Sequence, residues 1–322
     1  MKENPVLTLV APSRALVVPE TSAAVDTARL GRIRNALTGL GWSVREADNT
    51  RKIFERFAGS DAERTEALEK ALTDTTADLA LALRGGYGAG RILPRLNWER
   101  LTGKTVPLAG FSDVTALFLA FLAKVGKGAW LCPCASSFDT ENCERDAAFS
   151  LAFRSREFSL RTEGLADRGA GNPASFFAEG LLWGGNLSVC VSLLGTPYFP
   201  AIKDGILFLE DIAEPAYRIE RALLQLLYAG ILEKQKALVL GDFTGADAGA
   251  GHGDGRFGFS EAVDFLRQTL KIPVLTGFPI GHIPACVTIP TGVHGSVSLE
   301  NGVWTVRSDV TSILPEHAPG RN

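Results

Sequence analysis

The stretch "TVPLAGFSDVTALFLAFLAK", Thr105–Lys124, decides how the first half of the chain reads. A short apolar run, Thr105–Phe111, reaches a Gly-Phe-Ser corner, and an apolar helical pattern begins at once, from Asp113 to about Lys124. A strand passing straight into a helix is half of a parallel βαβ unit, because parallel strands need a helical return. The same grammar recurs upstream. Val6–Ala11 reads as a strand, and Ser22–Leu40 as a helix with Leu30, Ile33 and Leu37 on its apolar side and Gly41 as its stop. Trp42–Arg45 reads as extended. Ser60-Asp61-Ala62-Glu63 fits a capping box opening a helix to about Leu72. "DLALAL", Asp78–Leu83, is a further apolar strand that runs into "RGGYGAG", Arg84–Gly90. Strands that deliver loops at their carboxyl ends are where open α/β sheets place their sites.

The character changes near residue 155. "SREFSLRTEGLADRGAGNPASFFAEG", Ser155–Gly180, is polar and rich in glycine, and it predicts a linker at 156–175 between a domain of residues 1–155 and one of 176–322. Beyond it, "GILFLE" and "KALVLGDF" read as short strands with a helix, Pro215–Ala229, between them. "HGSVSLENGVWTVRS" alternates sides and turns at Asn301-Gly302, a strong hairpin signal. The second domain is therefore expected to be β-rich.

Composition narrows the partners. A net charge of −3 over 322 residues supplies no basic field for a phosphate backbone, so nucleic acid is not expected. The apolar run Val6–Val10 is broken by Pro12, Ser13 and Arg14, unlike a signal peptide, and no stretch reaches the ~18 apolar residues of a membrane span. Cys132, Cys134, Cys143, Cys190 and Cys286 are an odd, scattered set, which predicts reduced thiols and a cytoplasmic location. Asp247, His252 and Asp254 are metal-capable residues, but they fall in the glycine-dense loop Gly245–Gly258, which would hold a site poorly. No metal and no cofactor are expected.

Several residues are candidates for chemistry. The glycine cluster fails as a nucleotide fingerprint, since Arg91 stands where glycine, alanine or lysine is needed. Glycines after a strand still let backbone N–H groups approach a ligand closely. Ser112 with Asp113 behind it suits a helix cap, and it equally suits a nucleophile raised at a strand-to-helix corner. Of the four histidines (His252, His282, His294 and His317), His282 in "TGFPIGHIPACVTIPTG" is the best-placed base. Glu210-Asp211 closes the wholly apolar "GILFLE" run, and a carboxylate so placed must be satisfied by a histidine, a cation or amides. Glu214 is the better acid for starting the following helix. Residue by residue, the structural and functional readings both stay open.

Taken together, "LRGGYGAGRILPRLNW", "GFSDVTAL", "GLLWGGNLSVCVSLLGTPYFP", "LFLEDIAEPAYRIERALLQL" and "GFPIGH" resemble the LD-carboxypeptidase family of serine peptidases, from "LVAPS" at Val10 to "TIPTG" at Gly292. The resemblance implies a flavodoxin-like α/β first domain, a β-rich α/β second domain and an active site in the cleft between them. It implies a triad of Ser112, Glu210 and His282, and an oxyanion hole made by the backbone N–H groups of Gly86 and Asp113. Asn186, in "GGN", matches a polar residue lining that cleft. The implied reaction is removal of the terminal D-alanine from muropeptide tetrapeptides in cytoplasmic cell-wall recycling, with no cofactor and by a homodimer. Arg84 and Arg91, bracketing the glycine loop, are candidates to receive the substrate's free carboxylate. Two alternatives remain: a hydrolase of peptidyl-nucleotides of the microcin C type, and a non-catalytic muropeptide-binding protein. One departure is visible: "WLCPCASSFDTEN", Trp130–Asn142, replaces a His-Gly-Pro-Met-like stretch on the substrate side.

Overall fold

The computed structural model describes residues 5–19, 23–166, 168–247 and 257–314. Five strands belong to the first half: β1 (Val6–Val10), β2 (Ser43–Glu46), β3 (Leu79–Ala82), β4 (Leu108–Gly110) and β5 (Ala129–Leu131). Eight follow: β6 (Glu157–Glu163), β7 (Ser175–Asn186), β8 (Ile206–Ile212), β9 (Ala237–Thr244), β10 (Val274–Thr276), β11 (Ile289–Thr291), β12 (Val293–Glu300) and β13 (Val303–Asp309). They form two sheets, ordered β11-β5-β4-β3-β1-β2 and β10-β9-β8-β7-β12-β13-β6.

In the first sheet β2-β1-β3-β4-β5 are all parallel, the doubly wound order of flavodoxin-like folds. Leu7, Leu9, Leu79 and Leu81 are fully buried because helices cover both faces. The helix expected from Ser22 runs Thr27–Gly39 with Asp26 as its cap, and Ser22 lies outside the described residues. The capping box at Ser60 and Glu63 forms as expected, opening the helix Asp61–Thr73. The second sheet is parallel from β10 to β7 and antiparallel from β7 to β6. Asn301 and Gly302 both take positive φ, as the two-residue hairpin turn between β12 and β13 requires.

Two segments behave differently from the sequence expectation. The stretch read as a linker, 156–175, contains β6, the edge strand of the second sheet, with Phe158 packed on Trp130 at 5.7 Å between ring centroids. β11 leaves the second half and pairs antiparallel with β5 as an edge of the first sheet, where Pro290 does no harm to the ladder. Trp130 also donates its indole N–H to the Ile313 carbonyl at 2.7 Å. The segment between β10 and β11, which carries His282, is thus anchored in one sheet at its start and the other at its end. Leu223, Leu226 and Leu227, on the helix Ala216–Tyr228, are buried in the chain's own core.

Among the described residues no helix is long and apolar enough to cross a membrane. All five cysteines are unpaired, with Cys132 and Cys134 buried and Cys143 exposed. Asp247 accepts the Phe259 N–H and pairs with Arg168 at 3.1 Å, while His252, Asp254 and His317 lie outside the described residues.

Candidate active site

The loops leaving the carboxyl ends of β1, β3 and β4 meet the end of β8 and the segment between β10 and β11. Ser112 follows β4 almost directly. It sits at φ +62°, a left-handed conformation uncommon for a residue with a side chain. Neither the turn Ser112–Val114 nor the helix Thr115–Val125 takes a side-chain cap, so the hydroxyl is not a helix cap. It lies instead 3.2 Å from His282 Nε2.

The other imidazole nitrogen, Nδ1, is 2.9 Å from Glu210 Oε2. An ionised carboxylate can only accept, so Nδ1 carries the proton and Nε2 is left to accept from the Ser112 hydroxyl. The His282 ring packs on Phe111, with centroids 4.7 Å apart. Glu210 is 1% exposed. Register with β9 slips between Leu209 and Asp211, and this bulge lets two consecutive carboxylates both face inward. Burial raises the Glu210 pKa above the ordinary carboxylate value, opposed by its bond to His282. Its second oxygen, Oε1, has no hydrogen-bond partner among the described residues.

The glycine loop lies against this corner. A Cβ on Gly85 would stand 2.9 Å from Ser112 Cβ and 3.0 Å from its Oγ, so only glycine fits beside the serine. Gly86 has φ +112°. The carboxylate of Asp113 turns toward the loops after β1 and β3. It is buried and accepts from the Ser13 hydroxyl at 2.5 Å and from the Ala89 N–H at 2.9 Å, tying the loops after β1 and β3 to the serine corner.

A cleft of about 770 Å³ opens over Ser112 and His282, walled by Arg14, Arg84, Gly86, Ser136, Glu141 and Ile283. The departing stretch Trp130–Asn142 supplies much of one wall. Two of the cleft's arginines are neutralised, Arg29 by Asp139 and Arg145 by Asp146, each at 2.6 Å. Arg84 donates to the Ala15 carbonyl at 3.3 Å and has no carboxylate partner among the described residues. Burial, then the Arg14 and Arg29 guanidinia, lower its pKa, so this corner favours an anion.

Two expectations require correction. Arg91 does not share the cleft with Arg84; its guanidinium pairs with Asp61 at 3.1 Å and lies over the Phe57 ring, on the far side of the glycine loop. Asn186 is buried and lies outside the cleft wall. Its side chain caps the helix Leu187–Ser192 and donates to Asp211 at 2.8 Å, and its backbone N–H donates to Thr115 Oγ1 at 2.9 Å. It is a joint between the serine-bearing helix and the second sheet. Arg14 and Ser13, in the loop after β1, were not singled out from the sequence; the signal was their place directly after a buried strand.

Comparison with known proteins agrees with this architecture. Residues 8–131 match the LD-carboxypeptidase N-terminal domain and residues 179–297 the LD-carboxypeptidase C-terminal domain. A murein tetrapeptide carboxypeptidase of Pseudomonas aeruginosa is 34% identical, over 71% of this chain and 76% of that one. The crystal structure of a muramoyltetrapeptide carboxypeptidase from Oxalobacter formigenes superposes with a TM-score of 0.81 at 35% identity, covering 94% of this chain and 98% of the other. A microcin C7 self-immunity protein shares the fold, with a TM-score of 0.79 at 21% identity over 99% and 98% of the two chains.

Proposed function

Because the chain belongs to the LD-carboxypeptidase family of serine peptidases, we propose that it removes the terminal D-alanine from muropeptide tetrapeptides in cytoplasmic cell-wall recycling, with Ser112, His282 and Glu210 as its triad. The observation that carries the reading is the unbroken chain of contacts from Ser112 through His282 to buried Glu210, opening on the cleft. His282 takes the Ser112 proton as the oxygen attacks the carbonyl of the L-centre, and it returns that proton to the departing D-alanine amine. Water then repeats the steps on the acyl-enzyme. Glu210 holds the imidazole tautomer and stabilises the imidazolium. The N–H groups of Gly86 and Asp113 are assigned to the developing oxyanion, an assignment supported by the packing of the glycine loop against Ser112.

That packing yields a prediction. Gly85→Ala is expected to push the serine off its bond to His282 and lower kcat about 10²-fold, the usual cost of a displacement near 1 Å. Steady-state kinetics beside a melting curve checks it; unchanged kcat in a folded variant contradicts the placement.

A carboxypeptidase must also recognise a free carboxylate, and Arg84, with Arg14 beside it, is assigned that role. Losing one charge-assisted contact costs roughly 1.5–3 kcal/mol, or about 10- to 100-fold. Arg84→Ala is therefore expected to raise KM by that factor on the free-acid tetrapeptide and to leave a C-terminal amide unaffected. Equal loss on both substrates removes Arg84 from the role. The reading as a whole is tested by incubating the tetrapeptide with the wild-type chain and following D-alanine release.

A further inference from the structure

Arg64 belongs to the helix Asp61–Thr73, one strand-loop away from Ser112, and it is fully buried. A buried guanidinium needs a reason, because ions are costly to take out of water unless paired and hydrogen-bonded. Its Nη2 pairs with Asp61 Oδ1 at 2.5 Å. Its Nη1 spends both hydrogens on backbone, donating to the Pro12 carbonyl at 2.5 Å and the Gly88 carbonyl at 2.8 Å. The guanidinium carbon lies 4.7 Å from the Phe57 ring centroid, which holds the plane in place.

Those two carbonyls are the ones that matter to the serine corner. The Gly88 carbonyl shares a peptide unit with the Ala89 N–H, and that N–H donates to the Asp113 carboxylate at 2.9 Å. The peptide unit is therefore held with its oxygen on a buried cation and its N–H on a buried anion. The Pro12 carbonyl is bonded to Ser13, whose hydroxyl donates to the same carboxylate at 2.5 Å. Gly88 is two residues from Gly86, and a Cβ on it would stand 2.9 Å from Arg64 Nη1 and 2.8 Å from Phe57. Asp113 supplies the other amide assigned to the oxyanion.

We propose that Arg64 is a positioning residue for the oxyanion hole: through the Gly88–Ala89 and Pro12–Ser13 peptide units, it and Asp113 fix the distance between the Gly86 and Asp113 amides. The proposal rests on the reading of Ser112 as nucleophile. Arg64 is not in the cleft wall and has no bond to Ser112, so its effect is expected in the transition state and not in ground-state binding.

The test compares Arg64→Met, Arg64→Lys and, as control, Arg91→Gln, which takes a guanidinium from the same Asp61 and Phe57 and leaves the backbone N–H of residue 91 on the Gly88 carbonyl at 3.1 Å. Two readouts are taken, kcat and KM on the tetrapeptide and the rate of Ser112 phosphonylation by a fluorophosphonate, whose phosphoryl oxygen occupies the oxyanion hole. Arg64→Met is expected to lose on the order of 10²-fold in kcat and in phosphonylation, with KM within about threefold. Arg64→Lys keeps the charge without the fork and is expected to lose about tenfold. Arg91→Gln keeps wild-type rates. If Arg64→Met does not fold, Arg64→Lys decides: rates within twofold of wild type overturn the proposal, as does a rise in KM at constant kcat. A wild-type chain that is phosphonylated at Ser112 but releases no D-alanine overturns the substrate reading alone, and the phosphonylation series still decides Arg64. A wild-type chain inert to both overturns the two together.

Discussion

Ser112→Ala is expected to abolish release of D-alanine from a muropeptide tetrapeptide, lowering kcat on the order of 10⁴-fold or more while leaving peptide binding in place. Members of such a triad act as one unit, so removing the nucleophile costs nearly as much as removing all three. The geometry sharpens the expectation, because among the described residues no other nucleophile stands within hydrogen-bond reach of His282 Nε2. Its Nε2 faces Ser112 Oγ at 3.2 Å, and the nearby thiols Cys134 and Cys286 are buried, with pKa values pushed up to about 12. A thiol so far from its thiolate is a poor nucleophile. The fold should be unharmed, since alanine inherits the strained φ +62° of Ser112 without new contacts. Kinetics and calorimetric titration on the variant check both halves. Retained turnover contradicts the assignment of Ser112, and binding without turnover in the wild type itself favours a sensor over an enzyme.

Glu210→Gln is expected to separate activity from stability. A carboxamide can turn its nitrogen toward His282 Nδ1, which moves the imidazole proton to Nε2 and leaves no acceptor for the serine proton. The loss should approach 10⁴-fold in kcat, as for the corresponding change in other triads. Stability moves the other way. Glu210 is a buried carboxylate with one oxygen unpartnered among the described residues, and burial raises its pKa from the ordinary 4.5. A raised carboxyl pKa means that the folded state holds the proton more tightly than the unfolded state, so stability falls as pH rises above 4.5, until the folded-state value is passed. The glutamine variant carries no such cost. Its melting temperature should therefore match the wild type in acid and exceed it at pH 8, a gap that melting curves across the range will reveal. A variant less stable than wild type at pH 8 contradicts the account of Glu210 as an ionised group whose burial costs stability.

Most of the first sheet was legible because its strands are buried on both faces and stand as bare apolar runs between helices. β6 was not, since "EFSLRTE" is an edge strand with alternate residues exposed, and such alternation among charges looks like a linker. β11 was hidden by brevity and by Pro290. Ser112, Glu210 and His282 were legible together as motifs, although the residue reading alone left Ser112 between cap and nucleophile. The bulge that buries both Glu210 and Asp211 has no local signature. Arg84 and Arg91 look equivalent on paper, and only the turn of the glycine loop sends one into the cleft and the other to Asp61. Arg64 did leave a trace, for it lies four residues before Leu68 and three before Ala67, on the stripe the helix buries.

The central claim is that this cleft opens the bond between an L-centre and a terminal D-alanine by way of Ser112. Product analysis of a muropeptide tetrapeptide incubated with the wild-type chain, by mass spectrometry with chiral resolution of the released amino acid, tests it most directly. The account predicts a tripeptide product and free D-alanine. An intact tetrapeptide beside a cleaved peptidyl-nucleotide would contradict it.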